Sequence, residues 1–189
     1  MCGRYYIEMD EKDLREIADE VEKNTQGYPD QMTFKTSGEI FPTDIVPVQT
    51  GAGKYQLMKW GFSGFDKRLV INAKSETALQ KPMFRESMLE RRCLIPASGY
   101  YEWKKDGSKK VKYQFFIPNT PIYLAGCWRQ EKDNPFHTFV ILTRPAVKVF
   151  EEIHDRMPVI IPQSRMQKWL YDSPGAMDDA VTKLSFEMA

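Results

Sequence analysis

Cysteine, histidine and an excess of charge of either sign are what this chain has little of. Its three cysteines, Cys2, Cys93 and Cys127, cannot all pair with one another, and no CxxC spacing occurs. Only two histidines, His137 and His154, accompany them. A structural zinc site is therefore not expected, and neither a metal nor a cofactor is called for. No apolar run approaches the roughly 18 residues that cross a bilayer, so no membrane partner is expected. The first residues lack the apolar stretch of a signal peptide, which predicts a cytoplasmic protein, nucleoid-associated if bacterial. With a net charge of +1, bulk electrostatics neither demand nor exclude nucleic acid. Any DNA site must be a local basic patch.

What the chain does have is an ordinary globular balance, 42% hydrophobic and 28% charged over 189 residues. That predicts one domain, residues 1–189, with a real core. Strand-like runs dominate: residues 2–7, Tyr55–Trp60, Arg68–Asn72, Cys93–Pro96, Tyr100–Trp103, Lys112–Ile117, Ile122–Trp128 and His137–Thr143. Asp106-Gly107 marks a hairpin turn, because such turns need positive φ. A helix capped by Asp10 should present Leu14, Ile17, Ala18 and Val21 on one face. Short helices are expected between Thr77 and Arg91 and from Ser164 on, and residues 24–38 read as a long loop. The fold class is α+β, a mostly antiparallel sheet in a barrel-like arrangement with short peripheral helices. Cys93 and Cys127 sit in apolar runs and read as small core residues.

Cys2 is different. Methionine aminopeptidase removes Met1 when the next side chain is small. The product is a 1,2-aminothiol, whose amine condenses with an aldehyde and whose thiol then closes a five-membered thiazolidine on the same carbon. An α-amine titrates at about 7.7–8.0 and a thiol at about 8.5, so free amine exists near neutrality. Three further segments carry polar chemistry. In Asn72-Ala73-Lys74-Ser75-Glu76-Thr77, an amide at a strand end can face a ligand and Lys74 can reach a phosphate; a plain turn fits as well. In Gly99-Tyr100-Tyr101-Glu102-Trp103, burial would raise the Glu102 pKa toward neutrality and fit it for acid–base work, whereas strand alternation could equally point it outward. Trp103 can stack on a base or join the core. In His154-Asp155-Arg156-Met157-Pro158, His154 is a candidate proton shuttle; a surface loop histidine is the alternative. His137, inside an apolar run, reads as structural.

Taken in order, Met1-Cys2-Gly3-Arg4-Tyr5, Trp60-Gly61-Phe62, the Asn72–Thr77 and Gly99–Trp103 segments, Ile141-Leu142-Thr143 and His154–Pro158 resemble the SOS-response-associated peptidase (SRAP) family of abasic-site processing proteins. The resemblance implies covalent capture of abasic sites in single-stranded DNA. Cys2 would be the nucleophile, Asn72 would orient the sugar, Glu102 would assist ring opening and imine formation, and His154 would move protons. Arg4, Lys74 and Arg156 would hold phosphates, with Trp60, Trp103 and Thr143 also lining the DNA. The family name implies a peptidase activity, in the form of self-removal of Met1, and slow adduct release would make the protein lyase-like. The chain departs from the family at Lys74, commonly Arg, where a bidentate phosphate grip becomes a point charge. It departs also at Gly38-Glu39-Ile40-Phe41-Pro42 and in lacking a longer C-terminal tail. Two readings stand beside this one: a cysteine hydrolase using Cys2 with His154 and Glu102 or Asn72, and a noncovalent nucleic-acid module in which Cys2 is incidental.

Overall fold

Strands whose two faces are both apolar need covering on both sides, and several runs in this chain are of that kind. The computed structural model describes residues 2–8, 12–24, 33–51, 54–66, 68–132 and 134–189, the side chains of residues 22 and 24 excepted. Its strands are β1 (Tyr5–Ile7), β2 (Gly38–Ile40), β3 (Ile45–Thr50), β4 (Tyr55–Trp60), β5 (Phe62–Ser63), β6 (Leu69–Val70), β7 (Asn72–Lys74), β8 (Arg92–Ala97), β9 (Gly99–Asp106), β10 (Lys109–Phe116), β11 (Ile122–Arg129), β12 (His137–Pro145), β13 (Arg156–Pro158) and β14 (Ser185–Met188). The helices are α1 (Lys12–Asn24) and α2 (Pro82–Glu90).

Strands β11, β8, β3, β4 and β12 pair in that order, and β11 also pairs with β12, which closes a five-stranded barrel. Every pairing in the ring is antiparallel except β4 with β12. A second, wholly antiparallel sheet runs β14-β10-β9-β1-β2. The period of two in β8, β11 and β12 divides their side chains between two cores. Cys93, Ile95, Leu124, Phe139 and Ile141 join the core shared with Tyr5, Tyr100 and Phe115 of the second sheet. Leu94, Ala125, Cys127, Val140 and Leu142 join Phe84 and Met88 of α2 and Trp169 in the other. Cys93 and Cys127 thus lie in different clusters, both buried and free, as their apolar setting predicts.

The expected stripe of α1 is buried at Leu14, Ile17, Ala18 and Val21; its Asp10 cap lies outside the described residues, as does most of the 24–38 loop. Gly107 takes φ +58 in the β9–β10 turn. Two expectations are corrected. The run Arg68–Asn72 is two strands, because Leu69–Val70 pairs with β5 while Asn72–Lys74 adds in parallel to β12. The helix after Ser164 is a 3₁₀ turn at Gln163–Arg165 followed by a π-type turn at Lys168–Asp172. There the buried Arg92 guanidinium donates to the Trp169 carbonyl at 2.6 Å, and the Trp169 indole donates to the Cys93 carbonyl at 2.9 Å. Residues 185–188, which carry no clear period, form β14, whose Phe186 stacks on Phe115 at 5.7 Å. No helix among the described residues is long and apolar enough to cross a membrane.

Candidate active site

The ends of several short strands meet where β1 leaves β9. Tyr5 pairs with Tyr100, and the Tyr101 amide donates to the Arg4 carbonyl at 2.9 Å. Because the two strands are antiparallel, Gly3 and Cys2 run on toward Glu102 and Trp103. From β7, the Asn72 amide donates to the Cys2 carbonyl at 2.9 Å. Asn72 therefore grips the main chain of the residue expected to react. Trp60 sits behind it: fully buried, its indole donates to the Ile71 carbonyl at 3.0 Å, just before Asn72.

Burial sets the electrostatics here. Cys2 is fully buried, and desolvation, with the charge of Glu102 adding to it, pushes the thiol well above its ordinary range. Strand alternation turns Glu102 inward, where it is 3% exposed. Desolvation raises its carboxyl to about 7, so at neutral pH both protonation states are populated. His154 Nε2 lies 3.8 Å from Glu102 Oε2. The Arg156 amide donates to His154 Nδ1 at 3.0 Å, while Asp155 Oδ1 lies 2.9 Å from the same nitrogen; with the amide bond made, the neutral ring carries its proton on Nε2, on the side of the carboxyl. Burial lowers the His154 pKa below 6.5. The arrangement is an acid–base pair poised near neutrality beside an N-terminal segment.

The cations expected at phosphates differ in how they are engaged. Lys74 is exposed and forms no ion pair among the described residues. Arg4 lies over the Phe41 ring at 4.1 Å and the Trp103 ring at 5.1 Å, and its Nη1 is 3.3 Å from Glu39. Glu39 is also held by Lys112 at 2.7 Å. Arg156 is bound in a fork by Glu76 at 2.5 and 2.9 Å and donates to the Thr143 carbonyl at 2.6 Å. That fork holds the Glu76 carboxyl at about 2.

Two candidates for DNA contact are corrected on burial. Trp60 is 0% exposed and Thr143 is 1% exposed, so neither side chain offers a surface to a strand. Both build the walls behind Asn72 and Arg156. Sequence reading missed Glu39 and Glu76, whose partners are 35 and 80 residues away. It also missed Phe65, fully exposed between β5 and β6, the hairpin that leads into Asn72. An apolar residue flanked by Gly64 and Asp66 was the available signal.

The family model of the SOS response associated peptidases (SRAP) matches residues 1–188. The chain belongs to the SRAP family. It is 35% identical over 186 residues to the abasic site processing protein YoaM of Bacillus subtilis, covering 90% of this chain and 79% of that one. It is 29% identical over 185 residues to the abasic site processing protein YoqW of the same organism, covering 90% and 80%. A crystal structure of a protein from Bacteroides thetaiotaomicron has the same fold as this SRAP chain. The TM-score is 0.74 at 23% identity, covering 97% of this chain and 91% of the other.

Proposed function

We propose that this chain processes abasic sites in single-stranded DNA by capturing them on Cys2 as a thiazolidine after Met1 is removed. The SRAP relatives named for abasic-site processing support the substrate. The observation that carries the chemistry is the grouping of the Asn72-held Cys2 main chain with a buried carboxyl raised to about 7 and an imidazole 3.8 Å from it.

An abasic sugar is mostly a closed hemiacetal, so its ring must open to expose the aldehyde carbon. Glu102, protonated in part, delivers a proton to departing oxygen and recovers one as carboxylate. The Cys2 amine attacks the aldehyde carbon, its proton passing to neutral His154, and the carbinolamine loses water, assisted by a proton from Glu102, to leave an imine. The Cys2 sulfur then adds to that carbon while its proton passes to nitrogen, closing the ring. Lys74 and Arg4 hold phosphates, with Trp103 and Phe65 offering ring faces to unstacked bases. Capture shields the lesion from strand cleavage. Slow reversal makes the protein lyase-like, and self-removal of Met1 is its peptidase activity. A cysteine hydrolase is less well supported, because burial keeps the thiol protonated and His154 is turned to Glu102.

The test mixes the protein with a single-stranded oligonucleotide bearing one abasic site and looks for a denaturation-resistant adduct. Cys2→Ala should abolish it, and Cys2→Ser should leave only an imine that needs reduction to survive. An equal yield from protein whose mass spectrum shows Met1 retained or the amine acetylated would sink the proposal.

A further inference from the structure

The segment carrying His154 is held by its own backbone, with the His154 amide donating to the Phe150 carbonyl at 3.1 Å, the Ala146 amide to the Asp155 carbonyl at 2.9 Å and the Val159 amide to the Leu142 carbonyl at 2.9 Å. Strand β13 is three residues long and pairs with the end of β12 through Thr143↔Pro158, Arg144↔Met157 and Pro145↔Arg156. The two prolines of this ladder, Pro145 and Pro158, sit at the alternate positions whose amides would face away from the partner strand, so the ladder loses no donor. The Arg156 side chain adds a second tie beside this ladder. It crosses β12, donates to the Thr143 carbonyl, and ends in the Glu76 fork. Glu76 lies two residues past the end of β7, and the Ser75 amide between them donates to the same Thr143 carbonyl at 2.8 Å. The fork therefore ties the end of the strand that carries Asn72 to the start of the strand after His154. Arg156 is also the residue whose amide sets the His154 ring, through Nδ1.

We propose that Glu76 is a positioning residue of this site: by anchoring Arg156 it fixes the His154 imidazole with Nε2–H toward Glu102. For its effect on rate this rests on the abasic-site chemistry proposed above. Glu76 does not touch the reacting atoms. It acts through Arg156. A planar fork on a guanidinium fixes angle as well as distance, which a single amide contact does not.

The test has a readout that does not need DNA. With only two histidines in the chain, ¹⁵N shifts of both rings can be assigned at pH 8, using His137→Asn to separate them. Wild-type His154 should be the Nε2–H tautomer. In Glu76→Gln the Nδ1–H tautomer should become a substantial population, and single-turnover crosslinking should slow about tenfold, the low side of a general acid–base contribution. Arg156→Lys, which keeps the charge and the amide but not the fork, should show the same two changes and serves if Glu76→Gln folds poorly. An unchanged tautomer in the folded variants overturns the proposal, and so does a changed tautomer with an unchanged rate. A changed tautomer in a protein whose wild type forms no adduct supports the positioning role and removes the abasic-site reading instead.

Discussion

Replacing Glu102 by Gln should make the protein more stable at pH 8 and slower at its chemistry. The carboxyl is 3% exposed, and desolvation lifts it from an ordinary 4.5 to about 7. A carboxyl whose pKa is raised on folding adds stability below its unfolded value, and that stability is lost as pH rises through the folded value. Above about pH 7 the folded state therefore carries the cost of a buried charge. At ~1.4 kcal/mol per pH unit, the gap between 4.5 and 7 is worth roughly 3 kcal/mol. Glutamine keeps the shape and removes the charge. Near pH 4.5 wild type and variant should melt together, and near pH 8 the variant should melt higher, by roughly 6–12 °C at about 2–4 °C per kcal/mol for a chain of this size. Thermal melts at both pH values, each beside single-turnover crosslinking, make the measurement. Crosslinking should fall at least about tenfold. A stability difference that is the same at pH 4.5 and pH 8 would refute the reasoning, because the raised pKa would then not be a cost of folding.

Other perturbations test other parts of the site. His154 works as the neutral ring with a pKa lowered from 6.5, so the wild-type rate should fall as pH drops through the acid side of 6.5, and His154→Ala should be slow and flat across that window. Glu39→Gln should free Arg4 and Lys112, tighten binding to an uncleavable abasic analogue and steepen the log–log salt slope by roughly 0.7 to 1.4, at about 0.7 per added phosphate contact; weaker binding would show that Glu39 organises the cations instead. Phe65→Ala should leave the melting temperature unchanged and weaken single-strand binding by about 1–3 kcal/mol if the exposed ring stacks on a base. Arg92→Ala should cost about 3 kcal/mol or more in urea denaturation, since the carbonyls of Met88, Leu89 and Trp169 lose a buried donor.

How much of this was legible depends on whether the deciding contact was local. The stripe of α1 and the Asp106-Gly107 turn follow from period and φ, and both appear. The direction of Glu102 did not follow, because alternation says that Tyr101 and Glu102 face opposite ways but not which face is covered. Burial of Tyr100, two positions earlier on the same face, settles it. Trp60 was misread for a related reason. A tryptophan at a strand end fits a ligand wall or a core equally well, and here Tyr5 at 5.4 Å and Phe139 at 6.3 Å enclose it. The carboxylates on Arg4 and Arg156 come from strands and turns whose pairing no spacing reveals.

The same burial that raises Glu102 also orders the proposed chemistry. A thiol pushed well above its ordinary range by desolvation, with a carboxylate adding to the effect, is a weak nucleophile at neutral pH. The amine of a mature Cys2 titrates near neutrality when unperturbed, so it is the group able to attack first. Once the imine has formed, the sulfur no longer has to compete as a free thiolate. It is tethered to the electrophilic carbon through its own backbone, and closing a five-membered ring replaces a bimolecular encounter by an intramolecular one. A buried thiol that would handicap a cysteine hydrolase is thus tolerable in a ring-closing capture, where proximity substitutes for acidity. The proton released by sulfur needs an acceptor close by, and a carboxyl poised near pH 7 takes it and returns it to nitrogen without a large uphill step.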